Sequence, residues 1–281
     1  MRPIVSDHYT SKTVLLRHRA FTPAMPLQYL RTLTASERTR RANVHLGVSL
    51  AFVAGAVNAA GLLAVGEYTS HMTGVVSGMA DNLALGRLDL VLAGLEAFIA
   101  FVMGAAVSAM LINWSRRRNS RREYALPLLL EAVLLLVFGL MGAQLNLTMA
   151  AEMSLTIGLL CFVMGLQNAI ITKVSNAEIR TTHVTGLATD LGIELGKLMY
   201  WNRQAQQPGQ DKVQSNRERL RLHSGLIAAF FIGGLVGALA FKHQGYVWTV
   251  PLALGLALLA GLQYLPDRLT QRAAGPQAEK R

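Results

Sequence analysis

The chain reads as an all-α, polytopic membrane protein with about six transmembrane helices in two inverted three-helix repeats. Each repeat is expected to carry a short broken or re-entrant helix. Three observations lead there: apolar runs about as long as a bilayer is thick, a skewed distribution of Lys and Arg around those runs, and a polar H-x-T-G segment that occurs twice. The 281 residues are 52% apolar and 15% charged, where a soluble protein carries about a quarter charged residues. Outer-membrane barrels would instead show short alternating strands.

The elements follow in order. Residues 1–43 form a basic tail in which Thr34-Ala-Ser-Glu37 has capping-box spacing ahead of the first apolar run. No apolar core of signal-peptide length precedes that run. A membrane domain is expected over 44–265, followed by a basic C-terminal tail, 266–281. Its first repeat, 44–142, opens with a span over about 44–66. The stretch EYTSHMTGVVSGMADNLALGR, 67–87, is too polar and too short for an ordinary span. Two spans follow, 88–112 and 125–142, separated by the arginine block WSRRRNSRR, 114–122. The second repeat, 153–265, has a span at 153–172 and a second polar stretch at 173–197. A hydrophilic linker, 201–222, precedes the last two spans, near 223–241 and 247–264.

Charge decides between topologies. If the two polar stretches do not cross the bilayer, there are six spans, and 25 of the 27 Lys and Arg fall on one side, leaving Arg87 and Lys242 on the other. An eight-span arrangement would put the five arginines of 114–122 outside, against the positive-inside rule. The six-span form, with both termini cytoplasmic, is therefore expected. Net charge of +11 belongs to these flanks and not to a nucleic-acid-binding module.

The repeat shows on alignment of 51–86 with 161–196. AFVAGAVNAA meets CFVMGLQNAI, pairing Gly55 and Asn58 with Gly165 and Asn168. After a two-residue slip, His71, Thr73 and Gly74 meet His183, Thr185 and Gly186. Six spans make these halves run in opposite directions, a recurrent transporter architecture with its site near the midplane.

The polar stretches suggest the chemistry. In a helix from His71 to about Gly86, Thr73, Ser77 and Asp81 lie four apart on one face. In the second copy Gly186, Asp190 and Glu194 share that spacing. A helix start offers free N–H groups and a positive dipole end to an anion or polar head group. Thr hydroxyls and imidazoles add donors, and histidine titrates near neutral pH. Intramembrane acids are costly unless they face water or a partner, so Asp81, Asp190 and Glu194 are candidates for proton or cation coupling, with Glu96 and Glu131 behind them. The plainer readings are helix packing by the glycines, self-bonded hydroxyls, and Asn58 and Asn168 as interhelical hydrogen-bond glue.

Other classes lack their motifs. There is no HExxH or CxxC for a metal, no Walker loop and no G-x-S-x-G elbow, so neither a cofactor nor a catalytic residue is expected. The single Cys161 excludes an internal disulfide and reads as a small core residue.

With G-x-x-N in the first span followed by SHMTGVVSGMADNLALG, residues 44–265 resemble the YoaK-like family of bacterial integral membrane proteins, a domain of unknown function. The resemblance implies about six spans and a suggested role in small-molecule transport. The family typically has Asp at the place of Asn58, so any proton coupling by that Asp does not carry over.

The expected function is a secondary transporter or channel, not an enzyme, for a small polar or anionic solute, with proton coupling as an option. The pathway would be lined by His71, Thr73, Gly74, Ser77, Asp81 and Asn58 together with His183, Thr185, Gly186, Asp190, Glu194 and Asn168. Its partners would be the lipid bilayer, the solute and, as a further option, a second copy of the chain. The alternative is a scaffold or sensor whose basic segments bind anionic lipid or a cytoplasmic partner. An intramembrane enzyme built on His and Asp comes last.

Overall fold

The apolar runs form long helices because every backbone group must be satisfied within its own segment when water is absent. A computed structural model describes residues 40–118, 123–144, 150–200 and 213–261. Among these the order is α1 (Arg40–Val65), α2 (Met72–Ala84), α3 (Leu88–Arg117), α4 (Ala125–Gln144), α5 (Ala150–Val174), α6 (Val184–Met199), α7 (Arg217–Gln244), a 3-10 turn (Gly245–Trp248) and α8 (Thr249–Gly261). The described residues contain no strand. The capping-box segment, the basic tails and most of the linker lie outside the described residues.

Five stretches are long and apolar enough to cross a membrane: α1, α3, most of α4, most of α5, and a 45-residue stretch, Arg217–Gly261, that holds α7, the 3-10 turn and α8. The two polar stretches are not among them. Each folds instead as one short helix, α2 with 13 residues and α6 with 16. At about 1.5 Å per residue both fall short of the roughly 30 Å hydrocarbon core.

Helix directions follow from named contacts. Gln167 Nε2 donates to the Leu50 carbonyl at 3.1 Å and Asn43 Nδ2 to the Val174 carbonyl at 3.3 Å, so α1 and α5 are antiparallel neighbours. Arg40 pairs with Glu178, after α5, and with Glu218 at the start of α7, which gathers three helix ends on one edge. Ser154 donates to Glu96 at 2.5 Å, and Gly104 lies against Phe162, so α3 and α5 run parallel. The arginine-rich end of α3 therefore shares the edge of Arg40. At the opposite edge Tyr246 packs edge-on against Phe138 of α4 and Phe241 of α7.

The closest crossings rest on a pattern that periodicity alone does not reveal. Phe52-x-x-Gly55, Phe101-x-x-Gly104, Phe162-x-x-Gly165 and Phe230-x-x-Gly233 each place a glycine against a phenylalanine carbonyl of another helix. A Cβ at Gly55 would overlap the Phe230 carbonyl oxygen, and one at Gly233 the Phe52 oxygen. Likewise Gly165 faces the Phe101 oxygen, and Gly104 the Phe162 oxygen. Small residues let membrane helices approach this closely, where packing replaces the hydrophobic effect as the driving force. So α1 crosses α7, and α5 crosses α3, on matching sets of four residues. Each opening helix of one half thus packs on a helix of the other half.

Candidate functional site

The turns after α1 and α5 carry the chain back towards the interior. Gly66 takes φ +76° after α1; at the corresponding place after α5, Asn176 and Ala177 take φ +50° and +64°. Glycine and asparagine are the residues that tolerate this left-handed region most readily. The second turn is two residues longer, which accounts for the slip in the alignment. Asn58 then latches the first returning loop: its Oδ1 accepts the Ser70 N–H at 3.2 Å and the Ser70 hydroxyl at 3.1 Å. Asn168 does the same in the second copy, accepting the Thr182 hydroxyl at 2.7 Å. Since Asn58 is seven residues before the end of α1, the latch lies about 10 Å below that end.

Immediately after each latched residue comes the histidine. His71 is the N-cap of α2 with φ −90° and ψ 63°, and His183 is the N-cap of α6 with φ −85° and ψ 60°. Neither side chain caps its own helix. Each ring instead folds over the first turn, where a Cβ at Gly74 or Gly186 would collide with it. The glycine of H-x-T-G therefore makes room for the imidazole. Thr69 and Thr181, one residue before the latch, are both buried with hydroxyls lacking a partner among the described residues. The duplicated element is thus T-[ST]-H-x-T-G, two residues longer than its obvious core.

The two helix starts open into one cavity of about 700 Å³. Its walls come in repeat-related pairs: Asn58 with Asn168, Ser70 with Thr182, His71 with His183, Met72 with Val184, Thr73 with Thr185, and Phe101 with Phe230. The pairing breaks at two places: Tyr68 in the first copy corresponds to Arg180 in the second, and Thr172 lines the wall where its counterpart Leu62 does not. The Arg180 guanidinium stands 3.4 Å from His183 Nδ1. Arg180 is the cation of the cavity wall, and reading for acids and histidines passed over it. A lone arginine two residues before the duplicated threonine–histidine pair was the available signal.

Of the expected pathway residues, His71, Thr73, Asn58, His183, Thr185 and Asn168 line this cavity. Gly74 lines a neighbouring cavity of about 280 Å³ between α2, α3 and α5. Gly186 supports the His183 ring. Ser77, Asp81 and Asp190 are exposed along the half-helices and line none of the three cavities around them. Glu194 is buried and engaged elsewhere. It accepts Lys197 Nζ at 2.8 Å, the Asn216 N–H at 2.6 Å and the Ser215 hydroxyl at 3.2 Å, which ties α6 to the start of α7. Its hydrogen bonds with Lys197 and with the Asn216 backbone hold the carboxyl down to about 2. Glu96 bonds to Ser154, and Glu131 is fully buried in α4 with neither oxygen partnered among the described residues. No group of three His, Cys, Asp or Glu able to hold a metal occurs among the described residues.

Comparison with known families places this geometry. Residues 46–262 match the model of a family described as "Protein of unknown function (DUF1275)". The chain belongs to this family. YoaK-like proteins are DUF1275 proteins, so the resemblance noted in the sequence holds. No curated protein and no solved structure matches the chain. The DUF1275 match includes both latches, both half-helices and all four Phe-x-x-Gly crossings.

The Asn58 geometry also bears on the aspartate that the resemblance implied at this place. Asn58 Oδ1 acts as an acceptor for both Ser70 groups, a task that a carboxylate performs equally. Asn168 additionally donates from Nδ2 to the Met164 carbonyl at 2.8 Å, which a carboxylate does not do.

Proposed function

We propose that this protein is an inner-membrane secondary transporter or channel that moves a small polar or anionic solute without altering it chemically. In this reading α7 and α8 are two spans joined at the 3-10 turn, giving six. The two halves are inverted, and the edge that carries Arg40 and the end of α3 faces the cytoplasm, as do both termini. The single observation that carries the proposal is the cavity in which two half-helix N-termini, two histidines and Arg180 converge. Helix N-termini and a guanidinium both favour negative charge. Discontinuous helices meeting at a repeat interface are how transporters commonly build substrate sites.

Alternating access would rock one half against the other about the fixed site, with the Phe-x-x-Gly crossings as close-packed pivots. Proton coupling belongs to the two histidines, which line the cavity. The test is flux in proteoliposomes across a panel of small organic and inorganic anions. The doubly substituted His71→Ala, His183→Ala protein and Arg180→Gln are each expected to lower flux at least tenfold. A solute flux left unchanged in both proteins would refute the assignment.

A further inference from the structure

The central cavity is polar along the half-helix starts, yet it abuts a second cavity of about 500 Å³ with a different character. This one is walled by Gly55, Ala59, Leu62, Phe230, Gly234 and Ala238 from α1 and α7, among others. Asn58, Tyr68, Val184 and Phe230 line both spaces, so the apolar groove continues from the polar chamber. Phe231, at 69% exposed, and Leu63, at 50%, form its outer lip. Lipid covers any apolar helix face; what distinguishes this one is that it leads inward to Asn58 and the chamber holding Arg180. The repeat-related face between α5 and α3 carries Thr172, Lys173 and Arg180 where this groove has Leu62, Leu63 and Tyr68, so the apolar lining is not reproduced there.

Building on the transport reading, we infer that the solute is an amphiphilic organic anion, a carboxylate with an aliphatic chain. Its head group sits in the chamber with Arg180 and the two helix starts, and its chain extends between α1 and α7. Charge complementarity fixes the head, since the chamber offers a guanidinium and free helix N–H groups, and no Asp or Glu among the described residues lines it. The chain replaces lipid or water against the groove, and each methylene so buried strengthens binding about fourfold.

Radiolabelled octanoate binding to the full chain in lipid nanodiscs tests this, with acetate, butyrate and hexanoate as competitors and empty discs as the partition control. Affinity is expected to rise about fourfold per methylene from acetate to hexanoate. Ala59→Leu and Ala238→Leu, which fill the groove, should each flatten that series while acetate binding persists. Gly234→Leu gives a third filling variant should either of those fail to fold. Arg180→Gln should weaken all chain lengths alike. Equal affinity for every chain length, with Arg180 still required, would overturn the amphiphile and leave the central anion site standing. A chain-length series unaffected by the filling variants would also overturn it. So would octanoate displaced by phosphatidylglycerol in the disc but not by hexanoate, which assigns the groove to lipid. No binding of any member would remove both the inference and the site it rests on.

Discussion

Replacing Gly165 by alanine adds one carbon at the crossing of α5 and α3. That Cβ would stand 2.8 Å from the Phe101 carbonyl carbon and closer still to its oxygen. Ordinary carbon contacts lie at about 3.5–4.0 Å, so the helices must part by roughly 1 Å. A gap of that size forfeits about a quarter to a half of each dispersion contact along the seam. Overpacking of this kind typically costs about 1–3 kcal/mol. Alanine returns up to about 1 kcal/mol through helix propensity, so a net loss of about 1–2 kcal/mol is expected. For a domain of this size that is a fall in Tm of about 2–8 °C. Gly192→Ala and Gly225→Ala are the controls, because nothing lies within 4 Å of a Cβ at either place. They should leave Tm unchanged or raise it slightly. Intrinsic-fluorescence melting of the purified proteins in one detergent supplies all three values. Equal shifts at Gly165 and at the two controls would refute the close crossing.

Two further outcomes follow from the latches and the α6–α7 clip. Asn58→Asp should fold with near-native Tm, because a carboxylate still accepts both Ser70 bonds, whereas Asn58→Leu should lose about 2 kcal/mol for two bonds. Asn168→Asp should fall between them, since the bond to the Met164 carbonyl is lost; thermal melting separates the three. The Glu194 carboxyl titrates below its ordinary value of 4.5, so its clip on Asn216 is complete above that pH and is lost as pH falls towards about 2. Exchange protection of the Asn216 amide, corrected for intrinsic rate, should be constant from pH 7 to pH 5 and fall below pH 4.5 in the native protein. In Glu194→Gln that acid-dependent step should be absent.

Much of the membrane architecture was legible in residue order because a bilayer imposes a single length and polarity on every helix that crosses it. The runs at 44–66, 88–112, 125–142 and 153–172 became helices with ends a few residues away, and the helix expected to begin near His71 begins at Met72. The repeated H-x-T-G was equally visible, since identical local tasks, an N-cap histidine and a glycine beneath its ring, demand identical local residues. The partner of each repeated letter was not visible. Asn58 reads equally as glue, proton site or ligand until Ser70 is found on its Oδ1. Asp81 shares a spacing with Thr73 of the cavity wall yet does not line the cavity, and neither does Asp190, because helical spacing sets only which residues share a face. What that face meets depends on how α2 and α6 dock. Glu194 likewise spends its charge on Lys197 and the start of α7, a contact across 22 residues of chain. The sequence by itself determined which segments are long and apolar enough to cross a bilayer, which fall short and which two stretches share a motif, since all three depend on local composition. Only the tertiary structure decided that both copies open into one chamber, that Arg180 stands in its wall and that an apolar groove leads from it, because contacts between distant segments arise from packing and leave no local period to read.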